Sequence, residues 1–356
     1  MKHCILIINP GSTSTKIGVY VNEKPIFEET LRHSSVDLER YTNIYEQFQF
    51  RKDVILHTLK EKAFNLSEVD AIVGRGGLLK PIESGTYIVN EAMLLDLKTG
   101  VMGQHASNLG GILAYELAKP LKIPALIVDP VVVDEMEEIA KICGLPEIRR
   151  KSIFHALNQK AVAKKYAFEV GKEYNEINLI VAHLGGGISV GVHKNGKVID
   201  VNNALDGEGP FSPERSGGLP MRDVIDMCFS GNYTLHSMNK KINGQGGYVA
   251  HFKTNNARQI NIAAAEGDQH AKLIQDAMAY QVAKEIGKCA TVLSGQVEAI
   301  VLTGGIAYND SIVKEIKKRV EFIANVVIYP GEDEMLALAQ GGLRVIQGEE
   351  SVKVYQ

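Results

Sequence analysis

The chain carries one strand-and-turn plan twice. Residues 4–8 read as a strand, Asn9-Pro10-Gly11-Ser12-Thr13-Ser14-Thr15 as a turn and 16–21 as a second strand. Asn22-Glu23-Lys24 then turns into a third strand at 25–29. β-Branched and apolar runs bounded by Gly, Pro and Asn support these assignments. The plan returns as strand 178–182, turn His183-Leu184-Gly185-Gly186-Gly187, strand 188–193, turn Lys194-Asn195-Gly196-Lys197 and strand 198–201. Two copies of one supersecondary unit predict two domains built alike. The 356 residues leave room for both, at roughly 100–200 residues per domain.

Helical patterns alternate with short strands around the copies. Helices are expected over 52–64, 107–117, 134–143, 155–174, 268–293, 309–322 and 334–346, and strands over 71–73, 125–128, 299–302 and 325–328. This alternation predicts α/β domains. The Gly- and Pro-rich stretch 206–220 reads as a loop. The expected first domain comprises 1–152 with 333–356, and the expected second domain 153–332.

A net charge of −3 gives no reason to expect nucleic-acid or membrane binding. No apolar run approaches the roughly 18–20 residues of a membrane span, and the N-terminus has no signal-peptide pattern. Both point to a cytosolic protein. Cys4, Cys143, Cys228 and Cys289 include no C-x-x-C pair, so reduced, mostly buried thiols are expected.

Three glycine-bearing turns suit phosphate. In Asn9-Pro10-Gly11-Ser12-Thr13-Ser14-Thr15-Lys16, hydroxyls and backbone N–H groups can line an anion site, and Lys16 adds charge. A polar hairpin would read the same way, and the spacing is not that of a Walker A loop. His183-Leu184-Gly185-Gly186-Gly187-Ile188-Ser189 supplies a second such turn. Thr303-Gly304-Gly305-Ile306-Ala307, between strand and helix, suits a nucleotide on the backbone, or simply a tight turn. Taken together, the three resemble the acetate and sugar kinase, Hsp70 and actin superfamily. That resemblance implies two duplicated ribonuclease H-like (actin-like ATPase) domains, with ATP in an interdomain nucleotide cleft.

Asn9 stands where sugar kinases and actin-like ATPases usually carry Asp. A carboxylate acceptor needs no base, because it is already ionised at neutral pH. It needs cations, so that one anion can attack another. Val73-Gly74-Arg75-Gly76-Gly77 and Pro213-Glu214-Arg215-Ser216-Gly217-Gly218 set arginines among glycines, and the arginine fork binds carboxylate and phosphate bidentately. His105 and His155 stand at expected helix starts. Each of these residues alone would more often be structural.

In this order the motifs resemble the acetate and butyrate kinase family over essentially the whole chain. The opening resembles N-x-G-S-[ST]-S-x-K. His155 resembles its F-H, His183-Leu184-Gly185 its H-L-G turn and Arg215-Ser216-Gly217 its R-S-G loop. Asp129 and Glu334 resemble its metal-holding acidic residues. Gly186 departs from the Asn of acetate kinases. The stretches Asp129-Pro130-Val131-Val132-Val133-Asp134-Glu135-Met136 and Gly207-Glu208-Gly209-Pro210-Phe211-Ser212-Pro213-Glu214-Arg215 look like the butyrate kinase branch.

The resemblance implies reversible transfer of the ATP γ-phosphoryl group to butyrate. Arg75, Arg215, His155 and His183 would be catalytic, with His105 in support. Asn9, Ser12, Ser14, Lys16, Gly185, Gly186, Gly187, Gly304 and Gly305 would hold ATP or ADP, and Asp129 and Glu334 would hold Mg²⁺. A homo-oligomer is also implied. Rival readings are a kinase of acetate, propionate or a branched acid, and an actin- or Hsp70-type ATPase. A dehydrogenase fits poorly, since no G-x-G-x-x-G opens a βαβ unit.

Overall fold

The computed structural model describes residues 2–356 and falls into two compact units. One runs from the N-terminus to Val133 and resumes at Asp333–Gln356; the other is Asp134–Glu332. The strands, in chain order, are β1 (Cys4–Pro10), β2 (Ser14–Val21), β3 (Lys24–Arg32), β4 (Ala71–Arg75), β5 (Thr86–Ile88), β6 (Ala125–Val128), β7 (Leu179–Leu184), β8 (Ile188–Lys194), β9 (Lys197–Val201), β10 (Ala299–Gly304), β11 (Asn325–Pro330) and β12 (Lys353–Val354).

The repeat extends further than its turns suggest. The first sheet has the order β12-β5-β6-β4-β1-β2-β3, the second β11-β10-β7-β8-β9. In both, an antiparallel meander (β1-β2-β3, β7-β8-β9) is flanked by two parallel strands (β4 and β6, β10 and β11). Even the register shift recurs, at Val19/Tyr20 and at Val192/His193. β5 and β12 extend only the first sheet.

Apolar residues cover both faces of the central strands, as parallel strands between helices require. In the first unit Leu6, Ile8, Ile17, Ile72 and Ile127 pack with Leu109 and Leu113 of helix Asn108–Ala118. In the second, Ile180, Leu184, Val190, Ile300 and Leu302 pack with Met278, Val282 and Ile286 of helix Gln269–Val292. Helices Ala156–Glu169, Asp310–Val320 and Glu334–Ile346 stand where helical periodicity was read. No helix among the described residues is long and apolar enough to cross a membrane.

Segment 134–143 is not the expected helix; only Glu138–Lys141 is helical. Tertiary contacts override its propensity. The Glu137 N–H donates to the Ile199 carbonyl, the Val198 N–H donates to Glu135, and Glu135 pairs with Lys160 at 2.7 Å. Lys160 is 1% and Glu135 6% exposed, and burying either charge alone would be costly. These bonds hold Glu135 and Glu137 to β9 and Lys160 within the unit that begins at Asp134. The thiols also differ from expectation: only Cys289 is buried, while Cys228 is exposed.

A buried arginine supports the first turn. Arg51 is 0% exposed, and its guanidinium donates to the carbonyls of Gly11, Ser12 and Ser14, to Thr15 Oγ1 and to Gln47 Oε1. His33 lies 2.9 Å from Thr15 Oγ1. Burial, with Arg51 nearby, lowers its pKa from 6.5 to about 4. The unfolded chain then binds a proton near 6.5 that the folded chain refuses until about 4, so stability is lost as pH falls through that window. Replacing His33 with Gln is expected to flatten the loss, measured as urea unfolding midpoints between pH 7 and 4.

Candidate active site

In the first unit, β1 and β4 end side by side and β2 returns beside β1. The register sets Lys16 opposite Asn9 and Ile8 opposite Gly74, so Asn9 and Arg75 leave neighbouring strand ends. Asn9 Nδ2 donates to Glu334 Oε2 at 2.8 Å, and Arg75 Nη1 donates to the same oxygen at 2.8 Å and to Asn9 Oδ1 at 3.2 Å. Glu334 opens helix Glu334–Ile346, whose first turn favours an acid. Sequence reading had scattered these three residues; the fold makes them one group. Ser12 and Lys16 are exposed and Ser14 partly so.

Asp129 follows β6 and is 4% exposed. Its Oδ1 accepts from Ser84 Oγ at 2.6 Å and from the Gly85 N–H at 2.8 Å. Its φ of +37° is a left-handed conformation that non-glycine residues rarely adopt outside functional or tightly held positions. His105 is exposed, with Nδ1 2.8 Å from Ser107 Oγ just before helix Asn108–Ala118.

In the second unit, His155 and His183 stack face to face, with centroids 3.8 Å apart and planes 11° apart. His183 is 1% exposed; its Nδ1 lies 2.8 Å from Asn158 Oδ1 and its Nε2 3.1 Å from Glu332 Oε1. His155 Nδ1 lies 2.8 Å from Ser189 Oγ. Arg215 lies across the Gly187 backbone: a Cβ on Gly187 would come within 1.7 Å of Nη1. Nη1 donates to the Ala204 carbonyl at 2.5 Å, while the buried Nε has no hydrogen-bond partner in the protein. Burial lowers the guanidinium pKa, with Glu214 and Asp206 opposing.

A pocket of about 550 Å³ adjoins the glycine turn. Gly185, Gly186, Gly305 and Ile306 line it, together with Asn255, Arg258, Asn261, Tyr308, Asn309 and Glu332. Of the glycines expected to hold nucleotide, Gly304 does not line it. A Cβ there would meet the Leu184 carbonyl at 2.4 Å, so this glycine (φ +90°) serves close strand packing. Gly187 likewise makes room for Arg215. Asn255, Asn261 and Asn309 of the lining escaped sequence reading because single asparagines carry no motif. Asn309 Oδ1 caps its helix at Ser311, and its buried Nδ2 has no partner in the protein. An orphaned buried donor at a pocket edge suits a ligand acceptor.

Among the described residues no group of three or more His, Cys, Asp or Glu could hold a metal ion alone. The hard oxygens of Asp129 and Glu334 nonetheless fit Mg²⁺, which keeps several waters and takes one or two carboxylates alongside phosphates.

The acetokinase family profile matches residues 140–355. Butyrate kinase 2 of Clostridium acetobutylicum is 64% identical over 356 residues, covering 100% of this chain and 100% of its own. Butyrate kinase 1 of the same organism is 63% identical over 352 residues, 99% of each chain. An acetate kinase structure from Porphyromonas gingivalis superposes with TM-score 0.79 at 19% identity, covering 97% of this chain and 100% of that one. A propionate kinase from Francisella tularensis gives 0.75 at 22%, covering 95% and 98%. The fold is therefore that of the acetate and propionate kinases, an actin-like ATPase fold. By its sequence and its fold, this chain belongs to the acetokinase family.

Proposed function

We propose that the chain phosphorylates butyrate reversibly with ATP, giving butyryl phosphate and ADP. The observation that carries this reading is full-length identity of 64% with a butyrate kinase. A carboxylate oxygen attacks the γ-phosphorus, and the bond to the β,γ-bridging oxygen breaks, its electron pair leaving with ADP. The acceptor arrives ionised, so no base is required; positioning and charge stabilisation do the rest. His155, stacked on His183, and Arg215 over the glycine turn carry donors suited to the oxygens of the transferring group. Asn9, Ser12, Ser14, Lys16, Gly185 and Gly186 would take phosphates, and the second-unit pocket with Gly305 would take adenosine. Arg75 would orient the carboxylate, with His105 in support. Asp129 and Glu334 would hold Mg²⁺, which when bound neutralises phosphate charge. A cytosolic location and a homo-oligomer go with this reading.

The test is ³¹P NMR of the protein with Mg-ATP and butyrate. An acyl phosphate resonance growing with ADP supports the reading; ADP and inorganic phosphate alone overturn it. Asn309→Ala removes both a helix cap and the orphaned donor. It is expected to raise the KM for ATP roughly tenfold while leaving that for butyrate unchanged, as one lost ligand hydrogen bond implies.

A further inference from the structure

Behind His155 runs a chain of buried polar groups that the reaction does not itself require. Tyr174 OH lies 2.7 Å from His193 Nδ1, His193 Nε2 lies 3.0 Å from Gln159 Oε1, and Gln159 Nε2 lies 2.8 Å from Ser189 Oγ. Ser189 Oγ lies 2.8 Å from His155 Nδ1. Gln159, Ser189 and His193 are each 0% exposed, so every proton among them must find a protein acceptor.

The direction of the chain follows from one fixed point. Gln159 also faces the Ser189 main-chain carbonyl at 3.1 Å, and a carbonyl only accepts. The amide nitrogen therefore faces Ser189 and the amide oxygen faces His193. That oxygen needs a proton from His193 Nε2. Burial, with Lys160 nearby, holds the His193 pKa well below the usual histidine value, so the ring is neutral and its bare Nδ1 accepts from Tyr174. Lys160 is fixed by Glu135 at 2.7 Å and lies over the Tyr174 ring, 5.6 Å from its centroid. At the other end, Ser189 Oγ accepts from Gln159 Nε2 and, at 3.5 Å, from the His155 main-chain N–H, which leaves its own proton to donate to His155 Nδ1. A neutral His155 with Nδ1 accepting carries its proton on Nε2.

We propose that Tyr174, His193, Gln159 and Ser189 are positioning residues that lock His155 in its Nε2–H tautomer. His155 then acts on the transferring phosphoryl group as an oriented hydrogen-bond donor from Nε2. The proposal rests on the functional reading above and extends it to residues that touch no substrate. Ser189 is the last link: without its hydroxyl, Nδ1 loses the donor that keeps it bare, and both tautomers become accessible.

The test uses the full chain with ¹⁵N-labelled histidine rings, His155 being assigned by its loss in His155→Gln. Wild type is expected to show a bare Nδ1 and a protonated Nε2. Ser189→Ala should mix the two patterns and lower kcat by roughly tenfold, the scale for outer-shell partners of functional histidines, with the KM for Mg-ATP changing less than about twofold. Ser189→Thr, which keeps a hydroxyl, should restore both. A protonated Nδ1 in wild type, or Ser189→Ala with unchanged kcat and ring pattern, overturns the proposal. If Ser189→Ala does not fold, the wild-type pattern decides. If wild type makes no acyl phosphate, the functional reading fails, while the ring nitrogens still report whether the chain sets the tautomer.

Discussion

Replacing Arg215 with Ala is expected to lower kcat for acyl phosphate formation by roughly a thousandfold, the upper end for losing one preorganised donor to a developing charge. The geometry makes this arginine hard to replace. Its Nη1 closes on the Gly187 backbone and donates to the Ala204 carbonyl, with Nε buried and unpartnered in the protein. Buried charge acts more strongly than charge in water, and Lys lacks the planar fork, so Arg215→Lys recovers little. Gly187→Ala offers an independent check. Its added Cβ would fall 1.7 Å from Nη1 and 2.5 Å from Cζ, so the guanidinium must leave its place. Activity should fall by roughly a hundredfold with little change in melting temperature, because the clash is with one side chain and not with backbone. Stopped-time hydroxamate assays paired with thermal melts check both variants.

Glu334→Gln is expected to cost roughly a hundredfold in kcat and to raise the Mg²⁺ concentration needed for half-maximal rate. Glu334 Oε2 accepts from both Asn9 and Arg75, and its charge offsets that of Arg75 beside the turn between β1 and β2. Glutamine keeps the shape, loses the charge and offers Mg²⁺ a weaker donor. The pair is only partly buried, with Arg75 27% and Glu334 17% exposed, so stability should change by less than about 1 kcal/mol. Titrating Mg²⁺ at fixed ATP reads the effect. An unchanged Mg²⁺ dependence would remove Glu334 from the proposed metal site.

The duplicated plan was legible because its signals are local: β-branched runs and turn residues recur in one order. β6 and helix Glu334–Ile346 stand at the expected residues. What escaped was decided at a distance. The expected helix at 134–143 gave way to bonds with β9 and Lys160, more than twenty residues away in sequence. β5 and β12 have three and two residues, too few to show a period. The Asn9, Arg75 and Glu334 group was named residue by residue, but its shared oxygen depends on strand register and a helix start over 250 residues later. The chain behind His155 was invisible, because serine, glutamine and tyrosine at those spacings form no motif.

The most direct measurement mixes the protein with Mg-ATP and, separately, acetate, propionate, butyrate, isobutyrate and isovalerate, trapping acyl phosphate with hydroxylamine. The account predicts hydroxamate from the short acids, with the highest kcat/KM on butyrate. ATP hydrolysis without hydroxamate from any acid would contradict it.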